Sequence, residues 1–125
     1  MSVPFTIKNT RYLFRYVSSH TEFDFIEKNR IIYSMNPMGT YWTTLITEDP
    51  LEAKRLLALP KIPHYRVGGI SLADLDIRMV KRFDTASPAY NEPGGGEEIL
   101  IEGAIPIVSI YDFNAQNSVY SFLSK

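Results

Sequence analysis

Three glycines, Gly94-Gly95-Gly96, lead into two carboxylates, Glu97 and Glu98, and then directly into the apolar segment Ile99-Leu100-Ile101. Glycine permits positive φ and close approach of backbone to a ligand. A carboxylate at the mouth of a strand is held by sheet hydrogen bonds and loses part of its hydration, which suits it to stabilise positive charge developing in a transition state. Two upstream segments offer complementary chemistry. Arg15, in Leu13-Phe14-Arg15-Tyr16-Val17, presents a planar fork of donors that matches carboxylate and phosphate. Tyr41-Trp42-Thr43-Thr44 presents aromatic walls and hydroxyls.

The elements that must position these groups follow from local patterning. Residues 11–17 alternate aromatic and polar positions, which predicts a strand. Ser18-Ser19-His20-Thr21 offers an N-cap for a short helix over 22–28, closed by Asn29-Arg30, and Ile31-Ile32-Tyr33-Ser34 reads as a brief apolar strand. A loop containing Asn36-Pro37-Met38-Gly39 leads into a strand over 40–46. Thr47-Glu48-Asp49-Pro50 carries a capping side chain and a first-turn proline, predicting a helix over 51–59 that Pro60 stops. Residues 65–70 read as a strand, 71–75 as a helical turn and 77–83 as another strand. Segment 84–96, polar and rich in Pro and Gly, reads as a functional loop. Strands over 97–101 and 105–111 follow, and the apolar residues of 114–125 suggest a final short helix. Helices concentrate in the first half with no regular βαβ alternation, so the expected class is α+β with a mainly antiparallel or mixed sheet.

The chain has 125 residues, enough for one domain with a buried core. A formal charge of −1, with acids and bases interspersed, gives no broad electrostatic footprint for nucleic acid. Arg78-Met79-Val80-Lys81-Arg82 is the richest basic cluster and reads as a solvated face, with a local anion contact as the other reading. Cysteine is absent, which excludes disulfides, thiolate zinc sites and cysteine nucleophiles. No apolar run is long enough for a membrane helix, and the first residues lack a signal-peptide pattern. His20 and His64 lie far apart with no ligand spacing around them, so no metal is expected.

An arginine following an aromatic in a first strand, an aromatic-aromatic-Thr-Thr strand and a Glu-Glu-Ile-Leu-Ile strand, in this order, resemble the mono-ADP-ribosyltransferase fold. The similarity runs from Arg11 to about Asp112. It is closest to the small transferase domains at the C-terminal tips of bacterial polymorphic toxins, including those that modify elongation factor Tu. The resemblance implies split mixed or antiparallel sheets around an NAD cleft, with NAD as co-substrate. It implies Glu98 as the catalytic carboxylate, contacting the ribose 2′-hydroxyl, and Arg15 as the clamp for NAD phosphates or ribose. Thr43 matches the first position of the family's Ser-Thr-Ser strand, whose hydroxyl orients the carboxylate.

Tyr16, Tyr33, Tyr41, Trp42 and Thr44 complete the residues expected beside NAD. Strand alternation sends Tyr41 and Trp42 to opposite faces, one to the core and one to the nicotinamide, and core packing is the simpler reading of Tyr33. Tyr90, Asn91, Glu92, Gly96 and Glu97 are the candidates for contacting the acceptor; Glu97, alternating away from Glu98, otherwise reads as a solvent-exposed acid. Gly96 stands where arginine-modifying members carry Gln or Glu, which argues for a different acceptor, another side chain or an RNA hydroxyl.

By the same resemblance the partners are a target macromolecule such as a translation factor and a cognate immunity protein, the domain being a monomer when free. Delivery would be from a larger secreted toxin into the cytoplasm of a target bacterium. Two other readings compete. A metal-independent ribonuclease would need His20 or His64 as general base beside Arg15 and Glu98. In a non-enzymatic binding module the glycine run would be only a turn and Trp42 core. The simplest role of Arg15 by itself is that of a strand-edge arginine paired with a surface acid.

Overall fold

A computed structural model describes residues 8–33 and 39–121. They form a small α+β domain of nine strands and two helices: β1 (Lys8–Val17), α1 (His20–Asn29), β2 (Ile31–Tyr33), β3 (Thr40–Ile46), α2 (Pro50–Leu57), β4 (Tyr65–Ser71), β5 (Val80–Thr85), β6 (Glu97–Ile101), β7 (Ala104–Pro106), β8 (Ser109–Asp112) and β9 (Asn117–Ser121). Seven strands make one sheet in the order β5-β6-β3-β1-β4-β8-β9, and β2 pairs with β7 apart from it. Every described strand pair is antiparallel. Ser34, Asn36, Pro37 and Met38 of the expected strand end and loop, and Phe122 and Leu123 of the expected tail helix, lie outside the described residues.

Both helices begin and end on local signals. The Ser19 hydroxyl accepts from the Glu22 N–H at 3.2 Å, and Arg30 closes α1 in the left-handed region at φ 55°. Asp49 accepts from the Leu51 N–H at 2.9 Å, Pro50 occupies the first turn, and Ala58 ends α2 at φ 51°. Helix α2 therefore stops before Leu59 and Pro60.

Strand alternation in β1 divides the molecule into two cores. Leu13 and Val17 join the larger, on the side of α1 and the small sheet, with Phe23, Ile26, Ile32, Trp42, Ile99, Ile101 and Ile105. Phe14 and Tyr16 join the smaller, on the side of α2, with Ala53 and Phe113. The Tyr16 hydroxyl donates to the Leu45 carbonyl (2.9 Å) and accepts from the Thr47 N–H (3.1 Å), tying β1 to the join between β3 and α2. Burial, opposed by the Thr47 bond and Arg66, pushes this phenol up to about 12.

Several sequence expectations are corrected. Residues 77–79 form a 3₁₀ turn capped by Asp76, and the strand begins at Val80 and takes Asp84 and Thr85 from the expected loop. The strand expected over 105–111 is two strands in different sheets, β7 and β8, because residues 107–108 carry the chain from one to the other. The expected tail helix is instead β9 over its described part, since β8 offers a free edge that β9 completes. No helix among the described residues is long and apolar enough to cross a membrane.

Candidate functional site

The three segments singled out by their chemistry lie on adjacent strands. β3 is flanked by β1 and β6, with Phe14 opposite Thr43 on one side and Trp42 opposite Ile99 on the other. One residue further along the second register, Thr43 comes opposite Glu98. A cavity of ≈ 260 Å³ opens here. Phe14, Arg15 and Tyr16 of β1, Tyr41, Trp42 and Thr43 of β3, and Glu98 of β6 line it, together with residues 57–60 at the end of α2 and Tyr90.

Glu98 is half-buried at one wall of this cavity. Burial pushes its carboxyl above the ordinary value; the Arg82 guanidinium, 3.8 Å away, pulls it down, and Asp84, its cross-strand partner, pushes it up again. Arg82 Nη2 also donates to the Tyr41 hydroxyl at 3.2 Å, and its guanidinium lies 5.9 Å from the Tyr41 ring centroid. A carboxylate and a phenol that line the cavity thus share one cation, Arg82 of β5. Arg82 and Asp84 were not among the expected site residues. Two-residue spacing on an alternating strand is the signal that would have put both on one face with Glu98.

Tyr41 and Trp42 separate as alternation requires. Trp42 is 2% exposed and packs in the larger core, where a Cβ on Gly69 would meet its ring at 3.0 Å; Tyr41 is 43% exposed at the cavity. Tyr16 reaches the cavity, but its hydroxyl is occupied by backbone groups. Thr43 is buried at the cavity wall, with its hydroxyl accepting from the Leu45 N–H at 3.1 Å in its own strand. The hydroxyl–carboxylate bond of this strand pair is made by Thr44, which donates to Glu97. Glu97 is therefore half-buried and engaged on the far side of the sheet from Glu98, rather than a free surface acid. Tyr33 stands in neither core nor cavity: it is 56% exposed on β2 in the small sheet.

Arg15 falls between Phe14 and Tyr16, which face α2, so alternation directs it toward α1. There Nε and Nη2 engage the two carboxylate oxygens of Glu22 at 2.7 and 3.3 Å, and Nη1 donates to the Tyr41 carbonyl at 3.2 Å. The arginine is paired with an acid, as in the simplest reading of a strand arginine, and still lines the cavity.

The glycine run approaches a helix end. Gly94 N–H donates to the Arg55 carbonyl (3.0 Å) and Gly96 N–H to the Leu56 carbonyl (2.8 Å), satisfying acceptors that the end of α2 leaves free. A Cβ on Gly96 would meet Leu45 at 2.8 Å and the Leu56 oxygen at 3.0 Å, so Gly96 is a packing contact and not an exposed acceptor contact. Glu92 pairs with Lys54 of α2, which anchors the same loop. Just before Glu92, Tyr90 and Asn91, both with positive φ, form a two-residue turn closed by reciprocal Ala89 and Glu92 backbone bonds. Of the loop residues expected to meet an acceptor, Tyr90 reaches the cavity, and Asn91 is exposed beside it.

His20 and His64 come together across the fold, their rings stacked with centroids 5.4 Å apart. Neither lines the cavity of Glu98. Among the described residues no group of three or more His, Asp or Glu is placed to hold a metal ion.

Comparison with protein-family models, with curated proteins and with solved structures gives no match.

Proposed function

We propose that this chain is an ADP-ribosyltransferase domain that takes ADP-ribose from NAD and attaches it to a macromolecule of a target cell. The observation that carries the reading is Glu98 at the wall of a cavity shared with Arg15, Tyr41 and Thr43. These are residues on which the resemblance to that family rests. Their three strands are immediate neighbours in the seven-stranded sheet.

In the proposed reaction the bond between the nicotinamide nitrogen and ribose C1′ breaks, and its electron pair leaves with the nicotinamide, which becomes neutral. The ribose gains oxocarbenium character until a nucleophilic atom of the acceptor bonds to C1′ and gives up its proton. Glu98 in its ionised form accepts from the ribose 2′-hydroxyl and sets a negative charge beside the cationic sugar. Tyr41 is the aromatic wall available to the nicotinamide ring, and Arg15 supplies cationic donors for the phosphates. Tyr90 is the loop residue best placed to meet an acceptor.

The acceptor in this reading is a translation factor such as elongation factor Tu. The domain acts in the cytoplasm of a target bacterium after delivery from a larger secreted toxin, and an immunity protein covers the cleft in the producer. These steps rest on the resemblance alone. The ribonuclease reading is weakened because neither histidine lines the cavity of Glu98.

The test is incubation of the purified protein with labelled NAD and a bacterial lysate, beside Glu98→Gln, with label read separately on protein and RNA. Label on a protein of the mass of elongation factor Tu, lost in the variant, is the expected result. Absence of both label and nicotinamide release with the unaltered protein overturns the proposal.

A further inference from the structure

A second cavity, of ≈ 170 Å³, adjoins the first and shares Arg15, Tyr16, Leu59 and Pro60 with it. Apart from Pro63, what it does not share is polar: Ser18, Ser19, Glu22 and Lys61. The Ser19 hydroxyl is used as the cap of α1. Lys61 has no ion pair among the described residues. Two cations therefore border one small cavity, and the anion present is the carboxylate of Glu22.

Glu22 fills the guanidinium fork in the way a bound anion would, with one oxygen on Nε and the other on Nη2. The side chains of Arg15 and Glu22 are 27% and 31% exposed, and part-exposed ion pairs hold weakly. A phosphoryl group offers the same two oxygens to the fork, carries more negative charge and has a further oxygen free for Lys61. Nη1 is held by the Tyr41 carbonyl, so the guanidinium stays aimed at the cavity when Glu22 leaves.

We infer that Glu22 is a built-in competitor at this site: a phosphoryl anion enters the second cavity by displacing the Glu22 carboxylate from Arg15 and is then held between Arg15 and Lys61. The inference deepens the NAD reading and rests on it for the identity of the natural ligand, the diphosphate of a dinucleotide. Glu22 would thereby set the affinity of the cleft, keeping Arg15 ordered while empty and making the anion compete for it.

The experiment titrates inorganic pyrophosphate into the full chain by calorimetry at low ionic strength. Glu22→Gln keeps a residue that suits the third position of a helix, and Glu22→Asp keeps the charge while withdrawing it from Arg15. Both are expected to bind pyrophosphate more tightly than the unaltered protein, by roughly 5–10-fold, and Lys61→Ala is expected to weaken binding in either background. Equal or weaker pyrophosphate binding by folded Glu22→Gln and Glu22→Asp overturns the inference, as does tightening that survives an added Arg15→Ala. Nicotinamide release from NAD is measured in parallel. Release without tightening removes the role of Glu22 and leaves the transferase reading standing, whereas tightening without release does the reverse.

Discussion

Asp84 stands directly opposite Glu98 across the antiparallel strands β5 and β6, so two carboxylates share one face of the sheet, and Glu98 of the pair lines the cavity. Like charges on opposed strand positions are unfavourable. Burial first, and Asp84 in addition, lift Glu98 above its ordinary value, while Arg82 works against both. One carboxylate is thereby set apart from the exposed acids by its surroundings, a property that active-site groups share with structural ion-pair networks.

Under the proposed reaction, Glu98→Gln is expected to reduce transfer by about 10²–10³, or roughly 3–4 kcal/mol, because that reading places its charge beside the sugar in the transition state. Its fold should persist. A carboxyl whose folded value is raised contributes stability fully present below its unfolded value of 4.5 and lost as pH rises through the raised one. Near neutral pH the amide removes an unfavourable charge, so thermal melting should occur no lower than in the unaltered protein. Unchanged transfer by a folded Glu98→Gln would remove this residue from the mechanism.

Arg82→Ala tests the opposing influence. Without the guanidinium, the remaining effects on Glu98 both raise it, so the acid limb of the proposed NAD cleavage should move to higher pH. The measurement is kcat/KM against pH for both proteins; an unmoved or downward-shifted limb contradicts the assignment of Arg82.

Tyr16→Phe should lower stability to urea by about 1–3 kcal/mol, since it leaves the half-buried carbonyl of Leu45 and the buried N–H of Thr47 without their partner. The phenol also sets an alkaline limit. Its raised value means that its contribution is present below the ordinary 10.0 and is lost as pH rises toward about 12. Stability measured from pH 9 upward on a rough scale of pH steps should therefore fall less steeply in Tyr16→Phe than in the unaltered protein.

Gly94→Ala should be more destabilising than Gly95→Ala. Both positions have positive φ, at +70° and +95°, and a side chain in the left-handed region costs about 1–2 kcal/mol. At Gly94 the new Cβ would additionally meet the Ala86 oxygen at 2.4 Å, whereas at Gly95 nothing lies within 4 Å. Thermal melts of the two variants decide it, and equal losses would show that the loop yields freely around position 94.

Features governed by neighbours in the chain were determined by the sequence. The capping side chains Ser19 and Asp49, with Pro50, mark where both helices begin, and alternation sets β3 over Thr40–Ile46. Alternation also required Tyr41 and Trp42 to part, and it left open which would be buried. That choice came from the far side of the chain, where Gly69 leaves room for the indole ring in the larger core. The tertiary structure alone decided each question of partnership. Residues 117–121 became a strand because β8 had an edge to complete, the glycine run met carbonyls at the end of α2, and two distant histidines stacked. Glu22 came to the fork of Arg15 because α1 packs on the face toward which β1 turns that side chain. Caps and alternation act over a few residues and can be read along the chain; partners are chosen among all surfaces that burial brings together, and only folding does that.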